Sequence, residues 1–393
     1  MKRRSFLRSG LAGAAGLAVL NKTSLASGVP ASDEVIYRTL GKTGLKIPVV
    51  SFGVMRSDNS ALVKAAYDGG IKLFDTANGY QNGRNEEMLG NFFTTVPRNS
   101  FIIATKVGPA GIDRQTGKPT SETTAANFLS KFEISLSRLK MSYVDILYMH
   151  GVDHPDVLRH KEIVNAMLDL KKKGKVRFIG VSTHKNEPVV IKAMAEDGIW
   201  DVVLTAYNFT QTYRNEMNEA LQAAADAGIG VVAMKTMAGG FLDKERTRPV
   251  NTRAALKWAL SNPNVTTTIP GITAFEHLSS DLEVLRDITI SSAEQSDLQA
   301  AVTSKGLYCN ACSNCIPGCR NNLPIPEIMR AYMYAYGYGS LPLASELLSQ
   351  TGIETDPCAG CDVCTAQCIK GFDVKDKISD ISRLNNVPFD LIA

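Results

Sequence analysis

From about residue 45 to residue 290 the chain alternates short apolar runs with longer segments whose apolar positions recur at helical spacing. The runs are residues 48–53, 71–75, 101–106, 144–150, 178–182, 202–206, 230–235 and 265–269. Most are rich in Val and Ile, bounded by Gly or Pro, and too short for helices, so they predict strands. Between them, residues 60–68, 123–139, 161–173, 188–197, 216–227 and 252–260 predict helices. Eight strand–helix units in about 250 residues match a closed parallel α/β architecture, the (β/α)8 TIM barrel. An open, doubly wound sheet is the competitor. It would usually bring a Gly-rich nucleotide turn after its first strand, and the chain holds no G-x-G-x-x-G. Residues 111–118 come nearest to a phosphate loop, but their spacing is wrong.

At about 150 residues per domain, 393 residues predict two to three domains. A content of 44% hydrophobic and 21% charged residues excludes a largely disordered chain, a collagen-like repeat and a multi-span membrane protein. The net charge of +4 is concentrated at the start. Without the five Lys and Arg of residues 1–26, 38 basic residues face 39 acidic ones, so no nucleic-acid partner is expected. Arg3 and Arg4 precede a mildly apolar run, residues 11–20, and Ser24-Leu25-Ala26 offers a cleavage site. Ten residues make about 15 Å of helix against roughly 30 Å of hydrocarbon, too short for a stable membrane anchor. Residues 1–26 resemble a twin-arginine signal peptide, which implies the twin-arginine translocase as a partner and an exported, periplasmic or extracytoplasmic protein. A basic amphipathic leader on a cytosolic protein is the alternative.

A barrel carries its chemistry at the C-terminal ends of its strands. Those ends supply Asp75, Lys106 and His150 on strands two, three and four, with Tyr80 five residues past Asp75. Tyrosine ordinarily titrates near pH 10, roughly three units from neutrality. A nearby ammonium stabilises the phenolate, a carboxylate holds the ammonium, and an imidazole can orient a carbonyl oxygen. Taken singly, Asp75 could cap a helix, Lys106 lie on the surface, Tyr80 pack a loop and His150 sit in the core. At consecutive strand ends the four form an acid/base set.

These residues lie in stretches that resemble the aldo/keto reductases. The stretches are residues 37–45 (Tyr-Arg-Thr-Leu-Gly-Lys-Thr-Gly-Leu), 70–77 (Gly-Ile-Lys-Leu-Phe-Asp-Thr-Ala), 83–90 (Gly-Arg-Asn-Glu-Glu-Met-Leu-Gly), 103–106 (Ile-Ala-Thr-Lys), 145–150 (Asp-Ile-Leu-Tyr-Met-His) and 180–182 (Gly-Val-Ser). The resemblance covers residues 35–290. It implies Tyr80 as general acid, Lys106 lowering its pKa, Asp75 pairing Lys106 and His150 orienting the substrate. It also implies a hairpin around Gly41 and Gly44 closing the barrel floor. For the cofactor it implies NADP or NAD at the barrel mouth, held by Ser182, Tyr207, Asn208, Lys235, Ala238, Gly240, Gly271, Thr273 and His277. The chain departs from the family pattern where Thr183 follows Ser182, where no Gln precedes Tyr207, and where Thr273 replaces an Arg that often meets the adenosine 2′-phosphate. His277, Ser280 and Asp281 likewise stand where Gln, Glu and Asn are usual.

All eight cysteines lie after residue 308. Cys309, Cys312, Cys315 and Cys319 read C-x2-C-x2-C-x3-C, and Cys358, Cys361, Cys364 and Cys368 repeat the spacing 49 residues later. Soft thiolates in this run are the bacterial-ferredoxin arrangement for [4Fe–4S] clusters. The resemblance implies a ferredoxin-like iron–sulfur domain over residues 300–393, with Cys309, Cys312, Cys315 and Cys368 on one cluster and Cys358, Cys361, Cys364 and Cys319 on the other. Four disulfides would suit an exported chain, but such frameworks serve small domains, and the barrel holds no cysteine. Structural zinc usually takes two separated C-x2-C pairs. Twin-arginine transport moves folded proteins, so clusters could be built before export. Between the runs, residues 327–336 and 345–350 look helical; Tyr332, Tyr334, Tyr336 and Tyr338 are read as packing around a cluster, with an aromatic substrate platform the sharper alternative.

Two functional readings follow. One is an exported oxidoreductase passing hydride between a nicotinamide and a small-molecule carbonyl or alcohol, its clusters relaying electrons, with or without a redox partner protein, or stapling the C-terminal segment. The other is a silent barrel serving as an electron-transfer or binding module. The substrate itself is not legible.

Overall fold

All eight apolar runs yield strands, β1 (Phe52–Gly53), β2 (Leu73–Asp75), β3 (Ile102–Val107), β4 (Val144–Met149), β5 (Val176–Thr183), β6 (Val202–Ala206), β7 (Gly230–Met234) and β8 (Val265–Thr268). The computed structural model describes residues 34–113, 116–303 and 307–392; the leader, residues 1–26, lies outside them. The strands form one parallel sheet in chain order. Parallel bridges Val50–Thr268 and Gly53–Gly271 join its two edges and close the barrel.

Helices alternate with the strands: α1 (Ser60–Asp68), α2 (Arg84–Phe93), α3 (Ala125–Leu139), α4 (Lys161–Lys172), α5 (Glu187–Asp197), α6 (Arg214–Asp226), α7 (Thr252–Leu260) and α8 (Phe275–Val284). The periodicity reading places no helix over α2 or α8. Only Leu89, Gly90 and Phe93 of α2's apolar residues, and Leu278 and Val284 of α8's, are buried, so each apolar stripe is thin. Asn59, Thr124 and Asn251 cap α1, α3 and α7 by accepting from backbone N–H groups of the first turn.

Strand alternation decides which side chains reach the interior. Leu73, Ala104, Ile146, Tyr148, Val202, Leu204 and Val232 pack inside the barrel. Phe74, Ile103, Leu147, Met149, Val203 and Val231 point out against the helices. Asp75 is in phase with Leu73, Lys106 with Ala104, and His150 with Ile146 and Tyr148. The same two-residue period that fills the core therefore carries these polar groups to the inner rim. The floor is closed by the expected hairpin, Tyr37–Thr39 antiparallel to Lys46–Pro48, with Leu40 and Ile47 inserted as a plug. Gly41 (φ +47°) allows the turn to seat: a Cβ there would stand 2.3 Å from the Gly230 nitrogen.

After the barrel come α9 (Ser292–Thr303), α10 (Ile325–Tyr332) continued by a π-helical turn (Met333–Gly337), α11 (Leu341–Thr351) and α12 (Val374–Ser382). Among the described residues no strand follows Thr268, so the segment expected to be ferredoxin-like is built from helices and loops. It has its own core of Ile325, Ile328, Met329, Leu348 and Ile378. It is nonetheless one compact unit with the barrel. A Cβ at Gly239, in the loop after β7, would stand 2.2 Å from the Tyr308 ring, and one at Gly337 would stand 2.8 Å from the Gly239 oxygen.

Candidate active site

Asp75, Tyr80, Lys106 and His150 meet at the barrel mouth. Lys106, fully enclosed on β3, donates to Asp75 Oδ1, to the Thr76 carbonyl at 2.7 Å and to the Tyr80 hydroxyl at 3.3 Å. The His150 ring stands edge-on to Tyr80, centroids 6.0 Å apart. A buried ammonium is tolerable here because a carboxylate and a carbonyl face it. Burial pushes the Asp75 carboxyl up and the Lys106 ammonium down, and each partner's charge opposes that trend. Tyr80 departs from expectation: its pKa is raised, because burial dominates and the charges of Asp75 and Tyr334 act in the same direction. His150 is pushed down to about 3 by burial and by Lys106, Arg330 and Lys235, so at neutral pH its imidazole is uncharged.

Two buried residues in the 83–90 stretch set the loop bearing Tyr80. Asn85 accepts from Thr76 Oγ1 at 2.6 Å and donates to the carbonyls of Val54 and Ser57. Glu86 accepts from Thr105 Oγ1 at 2.6 Å, tying α2 to the strand that carries Lys106. The motif contained both, but their role needed the folded neighbours.

The four groups open into a cavity of about 1270 Å³. Of the residues expected to bind a cofactor, Ser182, Lys235, Ala238, Gly240, Gly271, Thr273 and His277 line it. Tyr207 and Asn208 are not brought to it. Tyr207 is buried against Trp258 and bonded to Asn218 and Asn262, because its ring follows the outward phase of β6. Asn208 instead accepts from Thr210, in a turn that also receives Asn310 from the first cysteine run. Asp281, also on the cavity, is buried without a side-chain hydrogen bond among the described residues, and burial alone raises its pKa to about 8.

Residues from beyond the barrel complete the mouth. Glu327, Arg330, Tyr334 and Tyr338 line the same cavity. Arg330 Nη1 lies 2.7 and 3.1 Å from the two ring nitrogens of His184, and Arg56 from the first strand's loop donates to the Tyr338 carbonyl at 2.7 Å and covers its ring. Sequence reasoning did not connect Glu327 and Arg330 to the barrel site; no local pattern reports contacts across 146 or 282 residues.

The cysteines form two neighbourhoods. Burial raises the Cys309 thiol to about 12, with the charges of Cys312, Cys315 and Cys368 adding to it. Cys358 is raised to about 11, with Asp356, Cys361, Cys319 and Cys364 adding. Cys319, Cys358, Cys361 and Cys364 also line one small pocket. Cys315 senses Cys319 as well, so the two neighbourhoods adjoin. All eight thiols are free. Among the described residues no three His, Cys, Asp or Glu side chains converge on a single-ion site. A cubane, with four separate iron corners, does not require its thiolates to converge on one point.

A closed parallel barrel with a carboxylate, ammonium, phenol and imidazole at its mouth defines an oxidoreductase-type site. Residues 50–254, 205 of the 393, match the aldo/keto reductase family. The chain is 26% identical over 306 residues to L-galactose dehydrogenase of Arabidopsis thaliana, covering 67% of this chain and 92% of that protein. It is 25% identical over 318 residues to L-glyceraldehyde 3-phosphate reductase of Escherichia coli K12, covering 66% and 90%. In fold it is similar to the holo form of aldo-keto reductase AKR11C1 from Bacillus halodurans, with a TM-score of 0.56 at 21% identity, over 71% of this chain and all of that one. The chain belongs to the aldo/keto reductase family of oxidoreductases.

Proposed function

We propose that this protein interconverts a carbonyl and an alcohol with a nicotinamide dinucleotide at the barrel mouth, and that its C-terminal segment carries two [4Fe–4S] clusters. The observation that carries the first part is the Asp75–Lys106–Tyr80 hydrogen-bonded chain ending in the large cavity beside neutral His150. Tyr80, held as a phenol, donates its proton to the carbonyl oxygen; His150, uncharged, hydrogen-bonds and orients that oxygen. Ser182, Lys235, Ala238, Gly240, Gly271, Thr273 and His277 would hold the dinucleotide, which when bound supplies the hydride to the carbonyl carbon and leaves oxidised. The donor set fits such a group, because Asp281 offers a buried acceptor for its N–H or O–H donors. The same carboxyl, with Thr273 where a cation would be needed, favours NAD over NADP.

The cluster reading rests on the matched spacings and on the grouping of Cys309, Cys312, Cys315 and Cys368 apart from Cys358, Cys361, Cys364 and Cys319. An all-thiol donor set fits iron–sulfur clusters, and bound clusters would supply single-electron chemistry or hold the segment together. The first group adjoins the barrel mouth, since Asn310 bonds to the Thr210 turn and the charge of Cys309 acts on Lys235. Export by the twin-arginine route, with an exchangeable redox partner, completes the reading.

The test is Tyr80→Phe, prepared anaerobically and assayed with both reduced dinucleotides against an aldehyde panel. Turnover is expected to fall by about 10²–10⁴-fold, with dinucleotide binding and the visible cluster absorbance retained. Undiminished turnover removes Tyr80 as the acid.

A further inference from the structure

We infer that the barrel mouth selects a substrate carrying its own oxyanion, a carboxylate or phosphate, gripped by Arg330 and Lys235 while the carbonyl lies at Tyr80 and His150. This rests on the proposed carbonyl chemistry for which atom reacts; the anion site shares Lys235 with the proposed dinucleotide set, while Arg330 belongs to it alone.

Arg330 comes from α10, outside the barrel, yet lines the cavity that holds Tyr80, Lys106, His150 and Lys235. Its polar contacts are the ring nitrogens of His184, at 2.7 and 3.1 Å. Among the described residues neither Arg330 nor Lys235 forms an ion pair, whereas Lys106 is neutralised by Asp75. Two of the nearby acids have partners of their own. Glu327, one turn before Arg330, receives Lys185 at 3.2 Å, and Glu187 receives the Tyr213 hydroxyl at 3.2 Å. Two cations thus face the cavity without a direct ion pair among the described residues, an arrangement that costs free energy until an anion enters.

The electrostatics agree. Lys106, Arg330 and Lys235 all act to deprotonate His150, and Arg330 and Lys235 act likewise on His184; no carboxylate figures among the influences on either ring. Lys235 itself is brought down to about 7 by burial and by Arg330 despite Glu187 and Glu327, so an arriving oxyanion would recharge it. A guanidinium fork matches a carboxylate or phosphate with two parallel hydrogen bonds, which a neutral substrate cannot use.

The experiment compares matched pairs: 4-oxobutanoate against butanal, and glyceraldehyde 3-phosphate against glyceraldehyde. The wild-type kcat/KM is expected to favour the charged member of at least one pair, and the pair that responds tells carboxylate from phosphate. In Arg330→Gln the charged-to-neutral ratio is expected to drop by about tenfold to a hundredfold, with Arg330→Lys recovering part of it. In parallel, calorimetry with succinate and with inorganic phosphate reads the anion site without turnover. Wild type and Tyr80→Phe are expected to bind one of them, and Arg330→Gln to bind it at least about tenfold more weakly. Binding that depends on Arg330 in a protein that reduces no aldehyde would retain the anion site and discard the reductase reading. Equal kcat/KM within both pairs, or anion binding indifferent to Arg330, overturns the inference.

Discussion

Asp281 shows how a single side chain can be read from its solvent exposure. It is buried on the cavity wall, its side chain has no hydrogen-bond partner among the described residues, and burial pushes its carboxyl up to about 8 from its ordinary value near 4. A carboxyl whose folded pKa is raised holds its proton in the native state while the unfolded chain has lost it. Stability is therefore lost as pH climbs from about 4 to about 8, and levels off above. Asp281→Asn is expected to stabilise the protein progressively across that window, read as the difference in Tm between variant and wild type. A constant difference would mean that Asp281 ionises normally. Tyr80 differs in that its displaced pKa serves the chemistry: the phenol stays protonated through neutral pH, so carbonyl reduction needs no prior proton uptake. The identities of Asp75, Tyr80, Lys106 and His150 as a set were legible in the sequence because strand ends are predictable. The direction of Tyr80's shift was not, because it depends on how completely the C-terminal segment encloses it.

At the level of elements, the two cysteine runs interlock through glycine. A Cβ at Gly318, between Cys315 and Cys319, would stand 2.5 Å from the Thr365 carbonyl oxygen, and the Thr365 hydroxyl donates back to the Gly318 carbonyl. Gly318→Ala must therefore push the runs apart, and iron and acid-labile sulfide per chain are expected to fall relative to wild type in anaerobic preparations. Full occupancy in that variant would show that the runs need not touch. The tyrosine series behaves similarly. In a strand the four rings would share a face; in the helix and its π turn they pair at i, i+4, Tyr332 with Tyr336 and Tyr334 with Tyr338. The first pair meets Lys377 and Lys244, and the second lines the catalytic cavity. The first pair packs under lysines, while the second forms part of the cavity wall.

Across the whole molecule, barrel and C-terminal segment are a single compact unit, joined where Asn310 enters the loop after β6 and Tyr308 seats on Gly239. Under the proposed twin-arginine route, which carries folded proteins, such a body would cross the membrane already assembled. Replacing Arg3 and Arg4 by Lys is expected to leave the protein in the cytoplasm with residues 1–26 attached, as read by cell fractionation and mass. Normal export would refute the route.

The chain's own order of residues determined the barrel, the strand-end acid/base set and the two thiol spacings. Each is a local property: a two-residue period, a strand end, a count between cysteines. Tertiary structure alone decided that Tyr207 and Asn208 face away from the cavity, that Asn85 and Glu86 fix the Tyr80 loop, and that Arg330 reaches His184 across the mouth. Those contacts join residues tens to hundreds of positions apart, and only closing the barrel and docking α10 against it brings their side chains within reach.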